Sequence, residues 1–219
     1  MSIIGNPITL GGGKPTIPFD TYSQFTEQGL TGSAWTSDDG TKSVTLAAGT
    51  WAVENGKFIA NGSTRLTVAC PSSSIMFGLR FSVDSSFTPA SSSQWYNQSC
   101  LMGGELAGAQ RDCGITIVKY NNQLYPCIGY GESSYARSPV PIQPDTEYDI
   151  FLLWHSSIYS LYLDGTRVTN VTYGATGTNM TKLGVFWNAG GTGSTVKGTI
   201  SAIGVYTFDY GKMPLPSFK

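Results

Sequence analysis

Three carboxylates that alternate along one stretch, Asp145, Glu147 and Asp149, are the residues whose spacing best fits a catalytic role. Hydrolysis of a glycosidic bond with retention uses two carboxyl groups about 5–5.5 Å apart, a separation that alternate positions on one strand face can provide. However, the three residues lie at the start of a strand-like run. We therefore expect them to be structural.

Other catalytic arrangements are not found in the sequence. The single histidine, His155, ends a strand-like run and has no second histidine with which to bind a metal. A Gly-x-Ser-x-Gly nucleophile motif does not occur, and the glycine-rich stretch 190–193 lacks the Lys-Ser/Thr pair of a phosphate-binding loop. The sequence thus predicts that the chain is not an enzyme and has no cofactor.

Aromatic residues near turns are better candidates for function, because their rings can pack against a ligand while a polar group stays in water. Guanidinium and amide groups nearby would bind sugar hydroxyls. The predicted glycan-binding residues are Trp95, Tyr96, Tyr130, Tyr135, Arg137, Trp187 and Asn188. Packing between or against sheets is the alternative for each aromatic residue, and it is stronger for Trp187, which belongs to a strand-like run.

The composition favours a polar, uncharged ligand. Of the 219 residues, 12% are charged, and the net charge is −1, whereas a typical globular chain has about 25% charged residues. Nucleic-acid binding would need clustered Lys and Arg, and no apolar run reaches the roughly 20 residues of a membrane span. The opening MSIIGNPITLGGGK lacks the basic and apolar regions of a signal peptide, so the expected location is a virion, or the exterior after lysis.

The elements that must position these residues are short strands separated by Gly, Asn and Asp turns, with no long helix. Residues 75–83 alternate apolar and polar side chains. Residues 58–60 and 65–70 predict a hairpin at Asn61-Gly62, because Asn-Gly is a strong hairpin signal.

Two further segments are predicted to be loops. Residues 105–111 contain a glycine and are too short for a stable helix. Residues 131–144 form a second loop, with Tyr135 and Arg137 at its tip.

The four cysteines favour free thiols over disulfides, since no secretion signal is found. A hairpin at Asn121-Asn122 would place Cys127 opposite Thr116 and turn Cys113 to the other face. A bridge between residues 113 and 127 is therefore not expected. No Cys-x-x-Cys motif supports a zinc site.

The last third of the chain resembles the closing half of a laminin-G-type domain of the concanavalin A-like family. The residues that carry the resemblance are Tyr148-x6-His155, the LYLDG turn at 161–165 and the final strand Gly198–Tyr206. The resemblance implies an all-β, two-sheet antiparallel jelly-roll sandwich, a fold that lectins, adhesion modules and glycanases share. It also leaves calcium open, through loop aspartates such as Asp112 and Asp164.

These observations predict an N-terminal arm at 1–19, a sandwich at 20–210 and a tail at 211–219. The predicted function is a non-enzymatic module that binds cell-surface glycans as part of a phage or prophage appendage. A purely structural virion protein and a divergent glycoside hydrolase are the alternatives. Expected partners are a glycan or host surface and other structural subunits through the arm, with a homo-oligomer as a further expectation; nucleic acid is not expected.

Overall fold

A computed structural model describes residues 20–22, 25, 34–36, 43–50, 52–69, 75–91, 94–95, 98–106, 110–131, 134–155, 157–173, 180–186 and 196–207. The predicted arm (1–19) and tail (211–219) lie outside these residues. The described residues form sixteen β-strands and no α-helix. None of them belongs to a helix long and apolar enough to cross a membrane.

Eight strands form the first sheet, called sheet I. They are β1 (Asp20–Tyr22), β4 (Val53–Glu54), β5 (Lys57–Asn61), β7 (Ile75–Val83), β12 (Tyr148–His155), β13 (Ile158–Leu163), β14 (Thr166–Thr172) and β16 (Lys197–Thr207). Their order is β14-β13-β12-β7-β16-β5-β4, and β1 also pairs with β16.

The other eight strands form sheet II. They are β2 (Ala34–Thr36), β3 (Ser43–Ala48), β6 (Arg65–Ala69), β8 (Ser99–Leu106), β9 (Gln110–Tyr120), β10 (Gln123–Tyr130), β11 (Ser134–Arg137) and β15 (Met180–Val185). Their order is β11-β10-β9-β8-β15-β6-β3-β2. Every pairing between the described strands is antiparallel, so the predicted two-sheet antiparallel sandwich is confirmed.

The core lies between the sheets because alternate side chains of each strand point inward. In β7, Phe77, Leu79 and Phe81 are buried in the main core, while Arg80 between them lies on the outer face. In sheet II, Ile115 and Ile117 point inward in the same way. Burial of each such side chain contributes about 1.5–3 kcal/mol, which makes this alternation the main determinant of the fold.

Two turns predicted from the sequence are confirmed. At Asn121-Asn122 both residues have positive φ, 47° and 61°, and Gln123 pairs with Tyr120 as expected. The Asp164-Gly165 turn joins β13 to β14, with φ angles of 49° and 77°. Asn, Asp and Gly tolerate this left-handed conformation, so these turn positions can be read from sequence.

The predicted hairpin at Asn61-Gly62 is wrong. Strand β5 belongs to sheet I and β6 to sheet II, so the chain crosses between the sheets at this turn. The Asn61 Oδ1 atom accepts hydrogen bonds from Ser63 N at 3.0 Å and from Thr64 Oγ1 at 3.0 Å. These bonds satisfy polar groups at the corner, and both strands still direct apolar residues into one core.

The two predicted loops are also wrong in part. Within 105–111, β8 continues to Leu106 and β9 begins at Gln110. Within 131–144, residues Ser134–Arg137 form β11, the edge strand of sheet II beside β10. Backbone pairing with a neighbouring strand stabilises these segments, and their local composition does not reveal it.

Three cysteines, Cys100, Cys113 and Cys127, are buried free thiols, as favoured from the sequence; Cys70 lies outside the described residues. Cys127 pairs with Thr116 in the predicted register. Cys113 packs in the main core, on the opposite face of the sheet, which agrees with the absence of a bridge between residues 113 and 127.

Candidate functional site

A shallow cleft of about 140 Å³ lies where β9 approaches the segment that precedes β8. Its lining combines one aromatic ring, one cation and several small or polar groups. The lining residues are Pro89, Ala90, Ser91, Gln98, Val118, Lys119 and Tyr135. The cleft is smaller than the roughly 300–1,000 Å³ pockets that enclose drug-sized ligands, so it fits contact with one face of a ligand.

Trp95 supports the outer surface beside the cleft. Its indole lies over Gly114 and Gly129 of neighbouring strands, where a Cβ atom at either position would overlap the ring. Trp95 Nε1 donates a hydrogen bond to Gly131 O at 2.6 Å. Because Ile115 and Ile128, the next residues along each strand, are in the main core, Trp95 covers the opposite, outer face of sheet II.

Hydrogen bonds also tie the cleft segment to sheet II. Ala90 N donates to Ser99 Oγ at 2.9 Å. Thr116 Oγ1, on the outer face of β9, lies 3.2 Å from Ser99 O and 3.3 Å from Gln98 Oε1. The polar wall of the cleft is therefore fixed against the sheet before any ligand arrives.

Tyr135 and Arg137 extend this surface along the edge strand β11. Tyr135 is 44% exposed, and Arg137, two residues further on, faces the same side. The Arg137 guanidinium carbon lies 3.8 Å from the ring centroid of Tyr120 and 4.8 Å from that of Tyr125. These cation–π contacts hold the positive charge at the surface in one place.

Beneath Arg137 lies Cys127, its partner on β10. Burial raises the pKa of Cys127 to about 12, although the nearby charge of Arg137 acts to lower it. The thiol is therefore neutral at ordinary pH and does not form an ion pair with Arg137.

The structure separates the residues that the sequence singled out. Tyr135 and Arg137 lie together on the outer face of sheet II. Trp95 is fully buried. The prediction that it contacts a sugar directly is therefore wrong, and the alternative, packing against the sheet, is what the structure shows. Tyr130 points away from the cleft, with its ring centroid 5.4 Å from that of Tyr173. Tyr96, Trp187 and Asn188 lie outside the described residues.

Sequence reasoning missed Tyr120 and Tyr125. Lys119 also lines the cleft, but it pairs with Leu124 of the core, so its side chain leaves β9 on the inner face. Inward-facing apolar residues in the predicted hairpin imply that Tyr120 and Tyr125 face outward, and two outward aromatic residues were a usable signal. Their contact with Arg137 could not be found, because residues 131–144 were predicted to be a loop.

A second cleft, of about 320 Å³, lies at one end of sheet I. Its acidic groups include Asp84 and Asp145, and both bind backbone amides: Asp84 Oδ1 accepts from Ser86 N at 2.7 Å, and Asp145 Oδ1 from Ser85 N at 3.2 Å. Hydrogen bonds from Ser86 lower the pKa of Asp84. These carboxylates hold the turn after β7.

Glu147 and Asp149, two of the three alternating carboxylates, are paired within the protein. Asp149 accepts two hydrogen bonds from Arg80, at 2.7 and 3.0 Å, and this interaction raises the pKa of Arg80. Glu147 accepts from Lys57 and Ser201, both at 2.8 Å. Burial acts to raise the pKa of Glu147, but the hydrogen bonds from Lys57 and Ser201 outweigh it and the pKa is lowered. These contacts support the structural interpretation.

No group of three His, Cys, Asp or Glu residues within the described ranges could hold a metal ion. Asp164, considered for calcium, accepts a hydrogen bond from Asp149 N at 2.9 Å and so supports the turn. The side chain of Asp112 is not among those described.

Comparisons with known proteins give a fold and no family. No family model matches the sequence, and no curated protein matches it. Among solved structures, Trypanosoma rangeli sialidase in complex with 2,3-difluoro-KDN is 16% identical with a TM-score of 0.63, over 94% of this chain and 33% of that one. Domain 4 of AbnA, a GH43 extracellular arabinanase from Geobacillus stearothermophilus, in complex with arabinotriose, is 15% identical with a TM-score of 0.57, over 86% of this chain and 91% of that one.

These similarities place the chain among β-sandwich folds found in glycan-related proteins, which fits a concanavalin A-like jelly roll at a coarse level. They also contradict the prediction that the chain is not an enzyme. The similar structures include a covalent intermediate of Trypanosoma rangeli sialidase, at 16% identity and a TM-score of 0.62. Because enzymes contain this fold, missing sequence motifs do not exclude catalysis. The chain spans about a third of the length of these sialidases.

Proposed function

We propose that this chain is a carbohydrate-binding domain that holds a glycan on the outer face of sheet II. The observation that carries the proposal is the exposed Tyr135 at the cleft, with the guanidinium of Arg137 held against Tyr120 beside it. An aromatic ring can pack against a sugar while neighbouring polar groups bind its hydroxyls.

One similar structure, which is a domain of about the same length as this chain, supports the same proposal. The arabinanase domain is matched over nine-tenths of its length, and its structure contains arabinotriose. A domain of this fold and extent can therefore bind an oligosaccharide. We extend the proposal to glycans of a cell surface, with the chain as part of a phage or prophage appendage. The opening MSIIGNPITLGGGK and the low charge support that setting, and calcium is a candidate accessory ion.

Affinity electrophoresis against neutral and acidic polysaccharides, followed by calorimetry with fragments of any that bind, tests the proposal. Tyr135→Ala should weaken binding about tenfold or more, since removal of an aromatic residue that anchors a ligand commonly costs about 2 kcal/mol or more. Ile158→Ala is the control, because Ile158 is 42% exposed and belongs to sheet I, away from the cleft.

Two outcomes would contradict the proposal: no retardation by any polysaccharide, or equal binding by the wild-type chain and Tyr135→Ala. Chromatography of the same samples for released sugars shows whether a bound glycan is also cleaved. Stable oligomers without glycan binding would favour the structural alternative.

A further inference from the structure

The charge beside the cleft is positive, although the chain as a whole is slightly acidic. Arg137 lies next to Tyr135 on the outer face of sheet II. No carboxylate is among the lining residues, and Arg137 forms no ion pair within the described part of the chain. The local field therefore favours an anionic group on the ligand.

The N–H groups of Arg137 can donate to such a group. Tyr120 and Tyr125 lie against the guanidinium, with ring centroids 3.8 and 4.8 Å from its central carbon. The rings hold the guanidinium in place without accepting conventional hydrogen bonds from it. Two parallel N–H groups match the two oxygens of a carboxylate.

Sheet I contains an arginine that binds a carboxylate through two parallel hydrogen bonds. Arg80 donates from Nε and an Nη atom to the two oxygens of Asp149, at 2.7 and 3.0 Å. On sheet II, Arg137 makes no hydrogen bond to another described residue that an acid would have to displace.

We propose that the glycan bound at this cleft carries a carboxylate, as a uronic acid does, and that Arg137 binds it while Tyr135 contacts the sugar ring. This inference depends on the proposed function, and it changes the expected ligand from an uncharged glycan to an acidic one. Arg137 supplies the bidentate contact.

The test uses the full chain with alginate, hyaluronan and polygalacturonate, each beside its carboxyl-reduced form, and with dextran sulfate. Binding to at least one acidic polymer should fall about tenfold or more on carboxyl reduction, since a charged hydrogen bond contributes about 1.5–3 kcal/mol. Arg137→Gln should cause a comparable loss, and Arg137→Lys a partial one. Arg167→Gln, which removes the same charge from exposed β14 in sheet I, should leave affinity unchanged.

The outcomes separate this inference from the proposed function. Binding to a neutral or carboxyl-reduced polymer that depends on Tyr135 but not on Arg137 would overturn the carboxylate and keep the glycan site. Binding to dextran sulfate alone, or equal losses in Arg137→Gln and Arg167→Gln, would show general attraction to polyanions and would also overturn it. No binding to any polysaccharide would overturn both.

Discussion

The outer faces of the two sheets use charged side chains in different ways. On sheet I, Arg80 is paired with Asp149, and Lys57 with Glu147, at distances of 2.7 and 2.8 Å. On sheet II, Arg137 contacts tyrosine rings instead, and the cleft beside it contains no acid among its lining residues.

This difference indicates which face supports the fold and which is available to a ligand. Polar groups already bonded within the protein have little to gain from a ligand, whereas Arg137, which forms no ion pair with another described residue, has more. The larger cleft, at the end of sheet I, is thus a weaker binding candidate than the smaller one on sheet II.

The largest expected effect is that of Trp95→Ala. Removal of this fully buried ring should lower the free energy of unfolding by about 3–5 kcal/mol, because a cavity forms and the Gly131 carbonyl loses its donor. Urea unfolding measures the change, and glycan binding should be lost as well. Trp95→Phe should restore part of the stability. A loss below about 1 kcal/mol for Trp95→Ala would show that Trp95 does not support the sheet II surface.

Asp149→Asn should have the next largest effect, and on stability alone. The Asp149 side chain is 4% exposed, and its substitution removes the carboxylate that accepts two hydrogen bonds from Arg80, at a cost of about 2–3 kcal/mol. Glycan affinity should be unchanged, because the pair lies on sheet I. Loss of binding in a variant that remains folded by circular dichroism would contradict the separation of the two faces.

Glu147→Gln should alter the dependence of stability on pH. The pKa of Glu147 is lower in the folded state, so its carboxylate stabilises the fold above the unfolded pKa, near 4.3, and this contribution is lost as pH falls through the lower folded pKa. The side chain is 38% exposed, so the effect should be about 1 kcal/mol or less. Unfolding curves from pH 6 to about pH 3 should therefore be flatter for the variant. Lys57→Met should flatten the pH dependence in part. If the free energy of unfolding of Glu147→Gln depends on pH as that of the wild type does, the Glu147 carboxylate does not contribute to stability.

Arg137→Gln should change stability least, by about 0.5 kcal/mol, since an exposed cation–π contact contributes little. Thermal and urea unfolding without ligand measure this change. A loss as large as that of Asp149→Asn would mean that Arg137, like Arg80, supports the fold, and the contrast between the sheets would fail.

Local sequence patterns were sufficient for part of the fold. The Asn121-Asn122 hairpin and the pairing of Cys127 with Thr116 follow from a short turn and strict alternation. The turn at Asn61-Gly62 shows where this reasoning stops. A turn signal marks a change of direction, but whether the next strand joins the same sheet depends on distant partners, here β15 and β16.

The sequence could identify individual residues of the candidate site, but it could not show how they are arranged. The chemistry of Tyr135 and Arg137 indicates a binding role, and the structure places both at the edge of sheet II. The chemistry of Trp95 indicates the same role, but glycines on two neighbouring strands make room for its burial. The residues that flank Trp95 in sequence do not reveal this space, because Gly114 and Gly129 lie on other strands.

The sequence by itself determined the β-strand content, the inward-facing apolar residues and the turns at Asn and Asp, because alternation and left-handed turn conformations are local properties. The tertiary structure decided which strands share a sheet and which aromatic rings remain exposed. It also brought Arg137 to Tyr120 across the width of β10. Pairing of strands far apart in the chain depends on burial of the whole core, so it becomes defined only when the two sheets pack together.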